Sequence, residues 1–113
     1  MSVKKKVPAH TKGSGNIFAD LGLPNAEEHQ LKAALVVQLK RLMAERELTQ
    51  TEAAKLVEMK QPDLSKLLRG HLRLASVEKL MRMLTAFDQE VEIRLKPHRK
   101  RGEAGRITLI SAA

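Results

Sequence analysis

The sequence predicts a mainly α-helical protein of four to five helices, with a short C-terminal β-strand or hairpin. Three observations predict this fold class. Apolar residues recur at spacings of three and four between residues 26 and 88, residues that favour helix N-caps precede the separate runs, and the apolar spacing changes to two at residues 90–96. With 113 residues, the chain is long enough for one domain of ordinary size.

The first two helices are predicted from paired residues that form capping boxes. Asn25 precedes Glu28 by three positions, and a long amphipathic helix is expected over about residues 26–46. Its apolar positions are Leu31, Ala34, Leu35, Leu39, Leu42 and Met43. Thr49 and Glu52 repeat the pair and predict a second helix of about two turns.

The next two helices are bounded by proline, glycine and serine. Pro62 lies where the first turn of a helix tolerates proline and Gly70 favours a helix end, so a third helix is expected over about residues 61–69. Ser76 caps a fourth helix. Ser76 and Lys79 also have the S-x-x-K spacing of some hydrolases, but no second catalytic motif accompanies them, and capping is the favoured interpretation.

The chain ends in two candidate strands. Val91, Ile93 and Leu95 alternate with charged residues and predict a strand over 90–96, and RITLI at 106–110 predicts a second. The two would form a hairpin, or the first would pair with its copy in another subunit, because an isolated two-stranded ribbon is marginally stable. The expected organisation is a flexible basic arm at 1–16, a helical domain at 17–88 and a C-terminal dimerisation element at 89–113.

Charge and composition restrict the function. Lys and Arg number 21 against 13 Asp and Glu, so the net charge is +8 and a polyanionic partner is indicated, with nucleic acid first. Two Phe are the only aromatic residues, which disfavours base stacking on single strands and favours a duplex. Without cysteine, disulfides, Cys-ligated metals and thiol catalysis are excluded.

Other classes of protein are disfavoured by missing patterns. No apolar run approaches the roughly 18 residues that span a bilayer, and the basic start lacks an apolar signal segment, so a cytoplasmic protein without membrane association is expected. The four histidines are far apart in sequence and suggest no metal or acid–base site. We therefore expect no enzyme activity, no cofactor and no small-molecule substrate.

Residues 48–70 contain the two short helices, joined by three or four residues, with Ala54 where the helices must approach closely. This is the layout of a helix-turn-helix unit. The second helix of such a unit buries an apolar face and exposes polar side chains to DNA. Both faces are present: the apolar one has Leu64, Leu67 and Leu68, and the polar one has Gln61, Asp63, Ser65 and Lys66.

The candidate DNA contacts follow from this layout. Gln61 can pair with adenine and Lys66 can donate to guanine, so these are the expected base-reading residues. Thr49 and Gln50 begin the preceding helix, where a side chain and the helix N-terminus would meet phosphates. Further phosphate contacts are expected just past the third helix, at Arg69, His71 and Arg73.

The longer motifs LTQTEAAKL and QPDLSKLLRG resemble the Xre or Cro/C1-type helix-turn-helix, a lambda-repressor-like fold. With NIFADLGL, HQLKAALV, SVEKLMRML and EVEIRLKP, the chain resembles HigA-type antitoxins of that superfamily over about residues 16–97. By position, the resemblance implies base contacts at Lys60, Gln61, Pro62 and Lys66, beside Ser65 on the same face. It implies phosphate contacts at Thr49, Gln50 and Arg69.

The resemblance also implies partners. It suggests a homodimer on a palindromic operator, and a RelE-like ribonuclease toxin that the protein binds and silences while it represses their shared promoter. One position departs from the family: Glu58 occupies a turn position that usually has glycine. Either the turn differs, or it tolerates strain of about 1 kcal/mol.

Two other functions stay open. A stand-alone Xre-type repressor would need an inducer mechanism, for which 113 residues show no evident separate domain. A protein whose helix-turn-helix makes only protein contacts would shift no duplex in a gel at low salt. A small basic reading frame beside the gene would favour the antitoxin, and an isolated gene would favour the stand-alone repressor.

Overall fold

The computed structural model describes residues 25–98, 102 and 104–111, and this part of the chain contains four α-helices and one 3-10 turn. Helix α1 spans Asn25–Glu45, α2 spans Gln50–Leu56, α3 spans Gln61–Leu68 and α4 spans Val77–Thr85. The 3-10 turn, Leu72–Leu74, lies between α3 and α4. The four predicted helices are confirmed, but Asn25, predicted as the N-cap of α1, is the first residue of the helix.

One apolar core joins the helices. Helix α1 packs against α4, α3 and the 3-10 turn, while α2 packs mainly against α3. The largest side chains that are less than 2% exposed are Phe87, Leu39, Leu64, Leu67, Leu80, Met83 and Val77. No polar or charged residue falls in the buried class over the described ranges. Removal of apolar surface from water is therefore the main stabilising contribution.

Helices α2 and α4 begin at the predicted caps. The Thr49 hydroxyl accepts from the Glu52 backbone N–H at 3.1 Å, and the Thr49 backbone N–H donates to the Glu52 carboxylate at 2.8 Å. The Ser76 hydroxyl accepts from the Lys79 backbone N–H at 3.0 Å. Each cap satisfies a helix N–H that has no acceptor inside the helix. Ser76 is thus a capping residue, as predicted.

Helices α1, α2 and α3 end in the same hydrogen-bond pattern. In α2, the Met59 N–H donates to the Ala54 carbonyl at 2.9 Å and the Glu58 N–H donates to the Lys55 carbonyl at 3.3 Å. This is a Schellman motif, which requires a left-handed residue one place beyond the cap. That residue is Glu47 in α1, with φ 55°, Glu58 in α2, with φ 58°, and Gly70 in α3, with φ 108°.

Arg46 joins the end of α1 to the end of α4. One guanidinium nitrogen donates to the Phe87 carbonyl and to the Asp88 carboxylate, both at 2.8 Å. The guanidinium also lies 5.2 Å from the centre of the Phe87 ring. Because Phe87 is fully buried, these contacts fix the C-terminal end of α4 on α1.

The predicted C-terminal strands are not shown. Neither residues 89–98 nor residues 104–111 form a strand. Val91, Ile93 and Leu95 are 39%, 67% and 91% exposed. The second segment instead returns to α1, where the Ile107 N–H donates to the Glu27 carboxylate at 2.7 Å. A strand needs a neighbouring backbone for its hydrogen bonds, and the described part of the chain supplies none to residues 90–96.

Two predicted features lie outside the described residues: the basic arm at 1–16 and the start of the helical domain at 17–24. Within the described ranges, no helix combines the length and the apolar character needed to cross a bilayer.

Candidate nucleic-acid interface

Helix α3 is fixed in orientation by one buried face. Leu64 and Leu67 are completely buried and Leu68 is 7% exposed. These leucines join the core formed with α1 and α4, so the helix cannot rotate without exposing them to water. The opposite face is open to solvent and points away from the core.

The open face contains the predicted base-contact residues. The structure exposes Lys60, Gln61, Pro62 and Lys66, and leaves Ser65 half-buried. Pro62 lies in the first turn and has no N–H, so it offers only apolar contact. Asp63 is half-buried, which leaves a polar and basic outer surface on α3. This surface matches the donor-rich face that reads the major groove in helix-turn-helix units.

Lys60 is the N-cap residue of α3 and differs from the other two caps described above. Its backbone is extended, with φ −68° and ψ 140°, but its side chain makes no capping hydrogen bond. Lysine is also unfavourable at the positive end of a helix dipole. A residue that lowers helix stability at an exposed position is typical of a functional site.

The N-terminal ends of α2 and α3 are joined by two glutamine side chains. The Gln61 amide N–H donates to the Gln50 side-chain carbonyl at 3.2 Å. The pair is exposed, and the Gln61 carbonyl oxygen stays open for another donor. Gln50, which the sequence predicts as a phosphate contact, also orients Gln61 through this hydrogen bond.

Thr49 is exposed at the start of α2, and its hydroxyl already accepts the capping hydrogen bond. The Glu52 carboxylate lies at the same helix end, where it would repel a phosphate. The α2 N-terminus thus has free backbone donors together with an opposing charge. Any phosphate contact here would come from the helix N–H groups and the hydroxyl proton of Thr49.

The remaining phosphate candidates, Arg69, His71 and Arg73, follow α3, and all three are exposed.

Lys32, which no sequence pattern singled out, holds the turn after α3 in place. The Lys32 ammonium donates to the Leu72 carbonyl at 3.2 Å and lies 3.7 Å from the Glu28 carboxylate. No sequence signal marked Lys32, because its partner is a backbone carbonyl 40 positions away.

The turn between α2 and α3 is left-handed at Glu58, with φ 58°. The sequence left two interpretations of a glutamate at this position: a different turn, or a left-handed turn with backbone strain. The left-handed turn is confirmed. The Schellman hydrogen bonds of Met59 and Glu58 hold the residue in this conformation. The cost is about 1 kcal/mol relative to glycine-like freedom.

The predicted dimerisation residues form an exposed apolar row, described above for Val91, Ile93 and Leu95. Ile110 is also 82% exposed. Single exposed apolar residues are ordinary on protein surfaces, but several together favour an interaction surface.

Two short helices joined by a tight turn, the second with a buried leucine face and an outward polar face, define a DNA-binding helix-turn-helix domain. Comparisons agree with this class. The family described as helix-turn-helix domain matches residues 17–96. The solved structure of an XRE family transcriptional regulator is similar at 37% identity with a TM-score of 0.74, over 79% of this chain and 100% of that chain. No curated protein shows a significant match. The chain belongs to the helix-turn-helix family and is of the XRE type.

Proposed function

We propose that this protein is a homodimeric transcriptional repressor that binds a palindromic operator through α3, and that it is also the antitoxin of a RelE-like ribonuclease. The observation that supports DNA reading most directly is the fixed orientation of α3, with its leucines buried and Gln61 and Lys66 outward. Because the backbone of a helix pinned in this way is already ordered, only its exposed side chains lose freedom when they contact base edges.

The proposed contacts divide into two sets. Base edges are contacted by Lys60, Gln61, Pro62, Ser65 and Lys66, with Gln61 and Lys66 supplying the discrimination. Each good pair with a base contributes about 1–3 kcal/mol of selectivity. Phosphates are contacted by Thr49, Gln50, Arg69, His71 and Arg73. These fix the position of α3 in the groove but provide no sequence information.

The dimer proposal rests on the exposed row in the tail. A second copy would supply a backbone partner for residues 90–96, which have none among the described residues, and it would cover Val91, Ile93 and Leu95. Residues 106–110 would extend that interface. Two α3 helices about 34–36 Å apart would then enter successive major grooves on one side of the duplex.

The antitoxin proposal rests on the resemblance to HigA-type proteins, together with apolar surface outside the helix-turn-helix. The toxin would bind in the cytoplasm, and repression of the shared promoter would couple toxin supply to free antitoxin. The stand-alone repressor is the second candidate. It is favoured if the gene has no small basic reading frame beside it.

Selection of binding sites from random duplexes, followed by binding measurements on selected and random DNA, tests the DNA proposal. Lys66→Ala and Gln61→Ala are expected to lose affinity for the selected site and little for random DNA. Arg69→Ala is expected to weaken both alike. Arg82→Ala removes the same charge from α4 and serves as the control. Equal loss on both DNAs for Gln61→Ala would remove it from the base-reading set.

Two further measurements test the partners. Sedimentation at micromolar concentration is expected to show a dimer that Leu95→Lys converts to monomer while the helices stay folded. Dimerisation that survives deletion of residues 89–113 would contradict the proposed interface. Coexpression with the product of the adjacent reading frame is expected to rescue growth, and lack of rescue would favour the stand-alone repressor.

A further inference from the structure

A shallow open groove lies beside the C-terminal end of α3. Its charged and polar lining comes from three elements: His29 from α1, Lys66 from α3, and His71 and Arg73 from the turn that follows α3. Its floor consists of Gly70, Leu72 and Leu74. The sequence placed 42 positions between the two histidines, and α1 packing against the 3-10 turn brings them to one groove.

The charge of this groove suits a polyanion. Lys66 and Arg73 are cationic, both histidines can donate through a ring nitrogen, and no acidic residue lines the groove among those that the structure describes. Glu28, one position before His29 on α1, is paired with Lys32 at 3.7 Å. The groove therefore combines positive charge with several donors, which is the chemistry that contacts phosphate.

The groove walls are held in a fixed relation. The Lys32 ammonium donates to the Leu72 carbonyl at 3.2 Å, which ties the floor to α1. The His71 N–H donates to the Lys66 carbonyl at 3.1 Å, which ties the turn to α3. The backbone segments that carry Lys66, His29, His71 and Arg73 are therefore held in a fixed relation to one another.

We propose that this groove holds the DNA backbone that flanks the base pairs read by α3, and that His29 contacts a phosphate there. The inference rests on the proposed DNA binding. Lys66 belongs both to the outer face of α3 and to the groove lining, so a strand that leaves α3 past Lys66 passes over the groove. The open shape suits a continuous strand, whereas a small anion would be bound better by an enclosed pocket.

The test is a phosphate scan on a selected operator duplex, in which single phosphates are replaced by neutral methylphosphonates. His29→Ala is expected to weaken binding about 3-fold per protomer, or about 10-fold for a dimer on two half-sites, on selected and random DNA alike. One flanking methylphosphonate is expected to weaken the wild type but to cause no further loss in His29→Ala. His29→Gln keeps a donor and is expected to regain most of the affinity.

Gln30→Ala is the matched control, because Gln30 is the exposed neighbour of His29 on α1 and does not line the groove. It is expected to bind and to respond to every methylphosphonate as the wild type does. If His29→Ala binds as the wild type does while Lys66→Ala loses selectivity, the groove proposal fails and the proposed function stands. If His29→Ala weakens binding but every flanking methylphosphonate weakens it as much as it weakens the wild type, the contact between His29 and a phosphate is likewise refuted. If the wild type binds no duplex at low salt, both proposals fail.

Discussion

Lys60→Ser is expected to stabilise the fold and to weaken DNA binding. Lys60 has an extended backbone like the two serine or threonine caps: φ and ψ are −68° and 140° at Lys60, −74° and 166° at Thr49, and −76° and 167° at Ser76. In α2 and α4 the hydroxyl accepts from the N–H three positions ahead. A serine at position 60 would accept in the same way from Asp63, since Pro62 has no N–H.

The size of the stabilisation follows from the missing cap. A capping hydrogen bond contributes about 1 kcal/mol, and removal of a cation from the helix N-terminus adds about 0.3–1 kcal/mol. For a domain of this size each kcal/mol raises the melting temperature by about 4–8 °C. Loss of the lysine at the DNA face is expected to weaken operator binding by about 10-fold, or about 1.4 kcal/mol.

Two assays on three proteins decide the outcome. Urea unfolding and operator binding are measured for the wild type, Lys60→Ser and Lys60→Ala, where alanine removes the charge without adding a cap. We expect Lys60→Ser to be more stable than Lys60→Ala by about 1 kcal/mol, with both variants weak on DNA. Equal stability of the two variants would refute the capping argument, and unchanged DNA affinity would remove Lys60 from the interface.

Three further predictions concern the scaffold of the interface. Gln50→Ala is expected to reduce operator selectivity by about 2- to 5-fold through loss of the hydrogen bond to Gln61, and to have no added effect on selectivity in a Gln61→Ala background. Glu58→Gly is expected to raise unfolding free energy by about 0.5 kcal/mol, because relief of left-handed strain exceeds the entropy cost of glycine. Arg46→Ala is expected to lower unfolding free energy by about 1–2 kcal/mol in urea titrations, through loss of its contacts to Phe87 and Asp88.

Each of these three predictions has an outcome that would contradict it. Additive selectivity losses in the double variant would show that Gln50 acts independently of Gln61. Lower stability of Glu58→Gly would show that the glutamate side chain contributes to the native turn. Lys40 is an exposed cation on α1, so Lys40→Ala is the control for Arg46→Ala. If both variants lower the free energy of unfolding equally, the change in net charge explains the effect and the contacts of Arg46 do not.

Local signals in the amino-acid sequence predicted the four helices and the caps of α2 and α4. Thr49 with Glu52, and Ser76 before an apolar run, are local signals whose hydrogen bonds close within three positions, so their outcome needs no distant contact. The buried face of α3 was equally predictable, because leucines spaced three and four apart share one side of a helix. The outward face with Gln61 and Lys66 follows from the same periodicity.

Contacts between residues that are distant in sequence depend on how the helices pack. The hydrogen bond from Lys32 to the Leu72 carbonyl and the approach of His29 to His71 depend on how α1 packs on the 3-10 turn, and no local pattern specifies that packing. The left-handed turn at Glu58 was one of two interpretations until the Schellman bonds fixed it. The alternation in residues 90–96 predicted a strand, but strand formation requires a partner backbone, which an amino-acid pattern cannot provide.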